Sequence, residues 1–154
     1  MDKTQLSDIY NYQPVDAMLA TAGQPTEAQL AAVARDGFAV VINLALHDVP
    51  RYSLPDEPGL VQSLGMQYVH IPVAFTAPQE SDLLKFFAAM EMHQGEKIFL
   101  HCAANMRVSA FLGLYNVIKQ GQSYAEAFAL LDNIWDPDLV WSEFIIAMLD
   151  KHRA

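Results

Sequence analysis

Cysteine is almost absent from this sequence of 154 residues, which contains only Cys102. A single thiol excludes an internal disulfide, and it also excludes the paired cysteines of a Cys-x-x-Cys metal or redox motif. Two interpretations remain for Cys102. It is either an inert residue of the core, which is common for a free cysteine, or a reactive thiol.

Basic residues are also scarce, because nine Lys and Arg face eighteen Asp and Glu and give a formal net charge of −9. Nucleic acids and anionic lipids bind through Lys and Arg, so we expect no nucleic-acid partner and no membrane partner. The nine basic residues form no patch along the sequence. An anionic ligand must therefore be held by a local site.

Long apolar runs are missing, since none approaches the roughly 18 residues of a membrane helix, and the first residues, MDKTQLSDIY, are too polar for a signal peptide. We therefore expect a soluble, cytoplasmic protein. The five histidines contain no i, i+4 pair and join no acidic cluster, so we expect neither a metal nor a cofactor. The length is that of one domain, and residues 1–154 are expected to form it.

Short apolar runs alternate with amphipathic segments along the chain. Strands are predicted at 38–44, 68–73 and 97–101, where the runs lack polar alternation and resemble strands covered on both faces. Helices are predicted after the capping box of Thr26 and Gln29, at 59–64, after a capping box of Thr76 and Gln79, at 108–119, after Ser123, and finally to about 152. Residues 1–19 are expected to wrap onto the edge of the domain.

This alternation predicts an α/β fold with a central, mostly parallel sheet and helices on both faces. Ligands of such sheets bind beyond the carboxyl ends of the strands. The loops at 45–58, 74–79 and 102–107 should share that rim, which would bring Cys102, Arg107 and Arg51 to the same side of the molecule.

The segment HCAANMRVSA, residues 101–110, runs from the third predicted strand into a helix. Backbone N–H groups at a helix start have no internal partners, and the helix dipole adds positive potential there. Both effects favour the thiolate form of Cys102, which is the nucleophilic form. The amides of Ala103, Ala104, Asn105, Met106, Arg107 and Val108 are candidates to bind a tetrahedral anion above Cys102, and the planar cation of Arg107 suits its oxygens.

His101-Cys102, followed by Arg107 and Ser109, resembles the signature loop of dual-specificity phosphatases in the protein tyrosine phosphatase superfamily. The segments GQPTEAQL, GFAVVINL and YVHIPV resemble a bacterial phosphatase-like family, some members of which are fused to β-lactamase-like hydrolases. The likeness extends over about residues 12–120. It implies a three-layer cysteine-phosphatase-like fold and a phosphatase that acts on a phosphate-containing substrate or another tetrahedral oxyanion.

The resemblance also implies roles for single residues. Cys102 would be the nucleophile that takes up the phosphoryl group, and Arg107 would bind its oxygens. Ser109 would help the thiolate to leave, and His101 would bond to the loop backbone and tune Cys102.

Two departures from the phosphatase pattern are visible. The signature has five residues between Cys and Arg, whereas four separate Cys102 from Arg107, so Val108 occupies the usual Arg position and Asn105 replaces the usual Gly. The segment 74–78 lacks the Asp that serves as general acid in the family, and Glu80 and Asp82 are expected to belong to the first turn of a helix.

Two alternatives therefore stay open. Four residues between Cys and Arg is also the spacing of rhodanese-like sulfurtransferases, which carry a persulfide on the cysteine. A non-catalytic module that binds anions without turnover is the other alternative.

Overall fold

The computed structural model of the chain describes residues 4–47 and 53–152, and within them five strands form one sheet. The strand order is β1-β2-β5-β3-β4, with β1 antiparallel to β2 and the other neighbours parallel. The predicted mostly parallel sheet is thereby confirmed. The strands are β1 (Gln13–Asp16), β2 (Leu19–Ala22), β3 (Val40–Asn43), β4 (Gln67–His70) and β5 (Ile98–His101).

Helices connect the parallel strands and complete the C-terminal part. They are α1 (Glu27–Arg35), α2 (Glu57–Ser63), α3 (Glu80–Met92), α4 (Met106–Ile118), α5 (Tyr124–Ala127), α6 (Ala129–Ile134) and α7 (Leu139–His152), preceded by a 3₁₀ turn at Leu6–Asp8.

The helices lie on both faces of the sheet, as the sequence predicts. Phe99 of the central strand β5 packs in one cluster with Leu30 of α1 and Val61 of α2. Its neighbour Leu100 points to the opposite face and packs with residues of α3 to α7, among them Trp141. Successive strand residues alternate between the two faces, so the chain forms three layers.

The N-terminal prediction was wrong in part, because β1 and β2 form a hairpin that belongs to the sheet. Moreover, β2 pairs in parallel with β5. Its sequence, Leu-Ala-Thr-Ala, contains a single large apolar residue, and the pairing with β5 stabilises its extended conformation.

Two helix starts also differ from the prediction. The helix α3 begins at Glu80, with Gln79 as its N-cap, and not directly after Thr76, because Pro78 disfavours helical backbone at the residue before it. The helix α2 begins at Glu57 and not at Gly59: the Asp56 side chain accepts from Gly59 N, and Pro58 fits the first turn.

Candidate active site

Cys102 directly follows β5, which lies between β2 and β3 in the sheet. Its side chain is fully buried and belongs to the cluster formed with α3 to α7. The preceding residue, His101, is also fully buried, but it points to the face that α1 and α2 cover. The two neighbouring side chains therefore lie in different layers.

The Cys102 loop closes through a left-handed residue. Asn105, the N-cap of α4, has φ 66° and ψ 6°, a conformation that Asn tolerates better than most residues. Its Nδ2 donates to Thr21 Oγ1 at 2.9 Å and to the carbonyl oxygen of Asn11 at 3.0 Å. The residue that stands in place of the signature glycine thus ties the loop to the N-terminal hairpin.

Two carbonyl groups of the Cys102 loop point toward the N-terminal part of the chain. Ala103 O accepts from Gln24 N at 3.0 Å, and Ala104 O accepts from Asn11 Nδ2 at 3.0 Å. No described peptide bond is cis, so the N–H of each following residue points the opposite way. The amides of Ala104 and Asn105 are therefore directed away from these contacts, and the N-terminus of α4 follows at the next residue.

Arg107 lies in the first turn of α4, so the helix begins two residues earlier than predicted. Its Nη1 donates to Val73 O at 2.9 Å, and the guanidinium carbon is 5.8 Å from the centre of the Phe75 ring. The side chain is buried, and within the described residues its Nε has no hydrogen-bond partner. Arg107 thus contacts the segment that follows β4, and its role at an anion stays a prediction.

The next two residues of α4 serve packing and local hydrogen bonds. Val108 is fully buried in the core. Ser109 Oγ donates to Met106 O at 2.8 Å and accepts from Trp135 Nε1 at 3.1 Å. The predicted anion-binding amides occupy the loop and this first turn; their contact with a ligand and the supporting role of Ser109 stay predictions.

A buried hydrogen-bonded pair adjoins the loop. His101 Nε2 lies 2.6 Å from Glu57 Oε2, and both side chains have no exposed surface. Glu57 Oε1 accepts from Gln24 Nε2 at 2.8 Å, and His101 Nδ1 lies 3.2 Å from the carbonyl oxygen of Cys102. Burial alone would raise the pKa of Glu57, but His101 and the Gln24 amide outweigh it and hold the pKa below the ordinary value of 4.5.

Sequence reasoning missed Glu57 and Gln24. A signal for Glu57 was present, because Asp56 and Pro58 mark a helix that begins at residue 57. His101 and Phe99 lie on the same face of β5. A contact between that face and the start of α2 could therefore have been predicted. Nothing in the sequence indicated the contact of Gln24.

A second polar cluster lies at the carboxyl ends of β3 and β4. Asn43 Nδ2 donates to Tyr68 OH at 3.0 Å and contacts His47 Nε2 at 3.1 Å. The imidazoles of His47 and His70 stack with their centres 4.2 Å apart, and His70 Nε2 contacts Ala45 O at 2.6 Å. Burial and the neighbouring His70 lower the pKa of His47, whereas burial and Glu57 raise that of Tyr68.

Arg51 lies outside the described residues. Glu80 lies in the first turn of α3 as predicted, and its carboxylate binds Lys151 Nζ at 2.6 Å and contacts His152 Nε2 at 2.8 Å. Residues 4–47 and 53–152 contain no group of three or more His, Cys, Asp or Glu arranged to hold a metal ion. In the same residues, no helix is both long enough and apolar enough to span a bilayer.

Comparison with known proteins extends the likeness to nearly the whole chain. The family model "DSP-PTPase phosphatase fused to NAD+ Kinase" matches residues 2–136. A crystal structure of a DUF442 phosphatase candidate from Shewanella putrefaciens is 34% identical, with a TM-score of 0.84 and 96% of both chains covered. The active form of Tk-PTP shares the fold, at 24% identity and a TM-score of 0.75, over 94% of this chain and 98% of that one.

A further relative is the beta-lactamase hydrolase-like protein of Xylella fastidiosa, which is 28% identical over 122 residues. The match covers 75% of this chain but only 27% of the Xylella protein, so the chain corresponds to about a quarter of that relative. The Shewanella structure agrees with the three-layer fold over 96% of this chain. The chain therefore belongs to the DSP-PTPase phosphatase family that this model describes.

Proposed function

We propose that the chain hydrolyses phosphate monoesters through a phosphocysteine formed on Cys102. The observation that carries this proposal is the position of Cys102 between the carboxyl end of the central strand β5 and the N-terminus of α4, in a chain that belongs to a phosphatase family. A thiolate at this position faces amides that suit a tetrahedral anion.

The proposed reaction has two steps. The Cys102 thiolate attacks phosphorus, an S–P bond forms, and the ester bond breaks so that its oxygen leaves with a proton from water. Water then attacks the phosphocysteine, which releases inorganic phosphate and restores the thiolate. The loop amides hold the non-bridging oxygens in both steps, and Arg107 joins them by exchanging Val73 O for the anion.

The substrate class follows from the groups around the site. Residues 74–78 offer no carboxylate to protonate a leaving oxygen, and a missing general acid costs about 10²–10⁴ in rate. Aryl phosphates suffer least, because a phenolate leaves with little protonation. The net charge of −9 disfavours substrates that carry several phosphates.

The decisive experiment is hydrolysis of an aryl phosphate across pH 5–8 by the native protein and by Cys102→Ser. We expect turnover in the native protein, its loss in the variant, and an acid-quenched native sample in which Cys102 carries a phosphoryl group by mass spectrometry. Ser142→Ala is a matched control for a hydroxyl change in α7, and it should retain full activity. Turnover that persists in Cys102→Ser would exclude the mechanism.

A sulfurtransferase is the second candidate, and the four residues between Cys102 and Arg107 favour it. The native protein would then take a sulfur atom from thiosulfate, with release of sulfite, and cyanide would remove that sulfur as thiocyanate. A mass increase of one sulfur on Cys102 that cyanide reverses, without phosphatase turnover, would support this candidate. Phosphate binding with neither activity would leave an anion-binding module.

A further inference from the structure

The hydrogen bonds of His101 define where its protons lie. Its Nδ1 faces the carbonyl oxygen of Cys102 at 3.2 Å, and its Nε2 faces a carboxylate oxygen of Glu57 at 2.6 Å. A carbonyl oxygen only accepts, so Nδ1 carries a proton. One further proton then lies in the short contact between Nε2 and the Glu57 carboxylate, and it belongs either to the ring or to the carboxylate.

Two contacts place that proton on the imidazole, and the direction of the Glu57 pKa agrees with them. The second oxygen of Glu57 accepts from Gln24 Nε2 at 2.8 Å, which favours the ionised carboxylate. The pKa of Glu57 is held below its ordinary value despite full burial. A contact of 2.6 Å also suits a charge-assisted hydrogen bond.

We infer that Glu57 is a positioning residue for Cys102, and that it acts by holding His101 as an imidazolium against the backbone of the cysteine loop. This role deepens the proposed function, on which its effect on turnover rests. Its effect on the thiol itself does not depend on any substrate.

The imidazolium places a fixed positive charge against the carbonyl oxygen of Cys102, on the opposite face of the sheet from the thiol. The guanidinium of Arg107, on the helix after the loop, is engaged by Val73 O, so His101 is the cation whose position does not depend on a bound anion. The carboxylate lies beyond the ring, and the positive end of the pair therefore faces the loop. A neighbouring imidazolium favours the thiolate over the thiol.

Other titratable groups also face this pair. Tyr68 from β4 and His47 from the segment after β3 both act on Glu57, and Gln24 contributes a neutral amide. The pKa of Tyr68 is raised and that of His47 is lowered, so both are uncharged at pH 7–8. Between pH 7 and 8 the charge of the buried pair therefore depends only on the protonation of Glu57 and His101.

The test is the rate at which iodoacetamide alkylates Cys102 between pH 5 and 10, measured with no substrate present. Glu57→Gln keeps the shape and can still accept a hydrogen bond, but it removes the charge that retains the second proton on His101. We expect the pH midpoint of alkylation to rise by about one unit, so that alkylation below the midpoint slows about tenfold. A purely structural role would lower thermal stability and leave the midpoint unchanged, which would overturn the inference.

Gln24→Leu is the matched control, because it removes a neutral contact of the same carboxylate while the backbone bond of residue 24 to Ala103 persists. Its midpoint should move less than half as far as that of Glu57→Gln, and an equal shift would overturn the role of the charge. A second measurement needs no variant: ¹⁵N NMR of the native protein should show both ring nitrogens of His101 protonated at pH 7. A neutral ring would overturn the inference even if Glu57→Gln fails to fold, and absence of phosphatase turnover would affect neither measurement.

Discussion

Gly23 shows at the scale of a single residue how the sheet holds the cysteine loop. It forms an isolated antiparallel bridge with Ala104, and its N–H donates to Tyr10 O at 2.7 Å. A Cβ built on Gly23 would lie 2.6 Å from Ala103 O and 2.8 Å from Tyr10 Cδ2. The backbone of the loop can reach this position only because residue 23 has no side chain.

Replacement of Gly23 by Ala should therefore displace the loop. We expect at least a tenfold loss of aryl phosphatase activity together with a loss of about 1–3 kcal/mol in the free energy of unfolding, as for other overpacked sites. Kinetics and urea unfolding measure the two effects. Gly37→Ala is the control: it meets no atom within 4 Å but has φ +91°, so it should lose stability and keep activity. A Gly23→Ala protein with native activity would contradict this account.

Arg107 acts at the scale of elements, because it joins the start of α4 to the segment that follows β4. Its bond to Val73 O crosses between two segments that are far apart in sequence. In the same region, Trp141 of α7 donates from Nε1 to Phe75 O at 2.7 Å. Two helices thereby hold the segment that follows β4.

Substitution of Arg107 by Met should weaken this junction. The carbonyl of Val73 loses its donor while it stays buried, and an unpaired buried group costs about 1–3 kcal/mol. Urea unfolding should show this loss, whereas Lys85→Met on the exposed side of α3 should change stability by less than about 0.5 kcal/mol. Equal effects of the two substitutions would show that the bond to Val73 contributes nothing.

Periodicity was sufficient to predict the strands β3, β4 and β5 and the layer order. The strands β3 and β5 are apolar apart from their last residue, whereas β4 reads Gln-Tyr-Val-His and lies at the edge of the sheet. The hairpin of β1 and β2 was not predictable in this way, because Leu19–Ala22 is short and its conformation depends on the distant strand β5. Pro78 could have excluded a helix that starts directly after Thr76, because it disfavours helical backbone at residue 77.

In the candidate site, too, local features were predictable from the sequence and distant contacts were not. Cys102 and the left-handed Asn105 were recognisable, because both follow from the local strand, loop and helix. The partners of that loop were not: Asn11, Thr21 and Gln24 reach it from the N-terminal part of the chain, some 80 to 90 residues away. The direction of Arg107 was also hidden, since one residue of shift along a helix rotates a side chain by about 100°.

Charge acts at the scale of the whole molecule. The net charge of −9 creates a field that repels anions at long range, whereas the proposed mechanism requires the loop amides and His101 to attract them at short range. Salt screens the distant charges most, because the Debye length falls from about 30 Å at 0.01 M to about 8 Å at 0.15 M.

Alkylation of Cys102 by iodoacetate and by iodoacetamide should reveal this field, since the two reagents differ in a single charge. We expect the ratio of the iodoacetate rate to the iodoacetamide rate to rise about twofold between 0.01 M and 0.15 M salt, as repulsion is screened. A ratio that falls with salt would mean that the local positive groups dominate at every distance.

The chain contains two tryptophans, and their indole N–H groups bond to the two segments that border Cys102. Trp135 donates to Ser109 Oγ on α4, and Trp141 donates to Phe75 O after β4; the two rings are 6.1 Å apart. All the indole emission of the protein therefore arises beside the candidate site. Its intrinsic fluorescence is a built-in optical reporter of these segments, available without any attached dye.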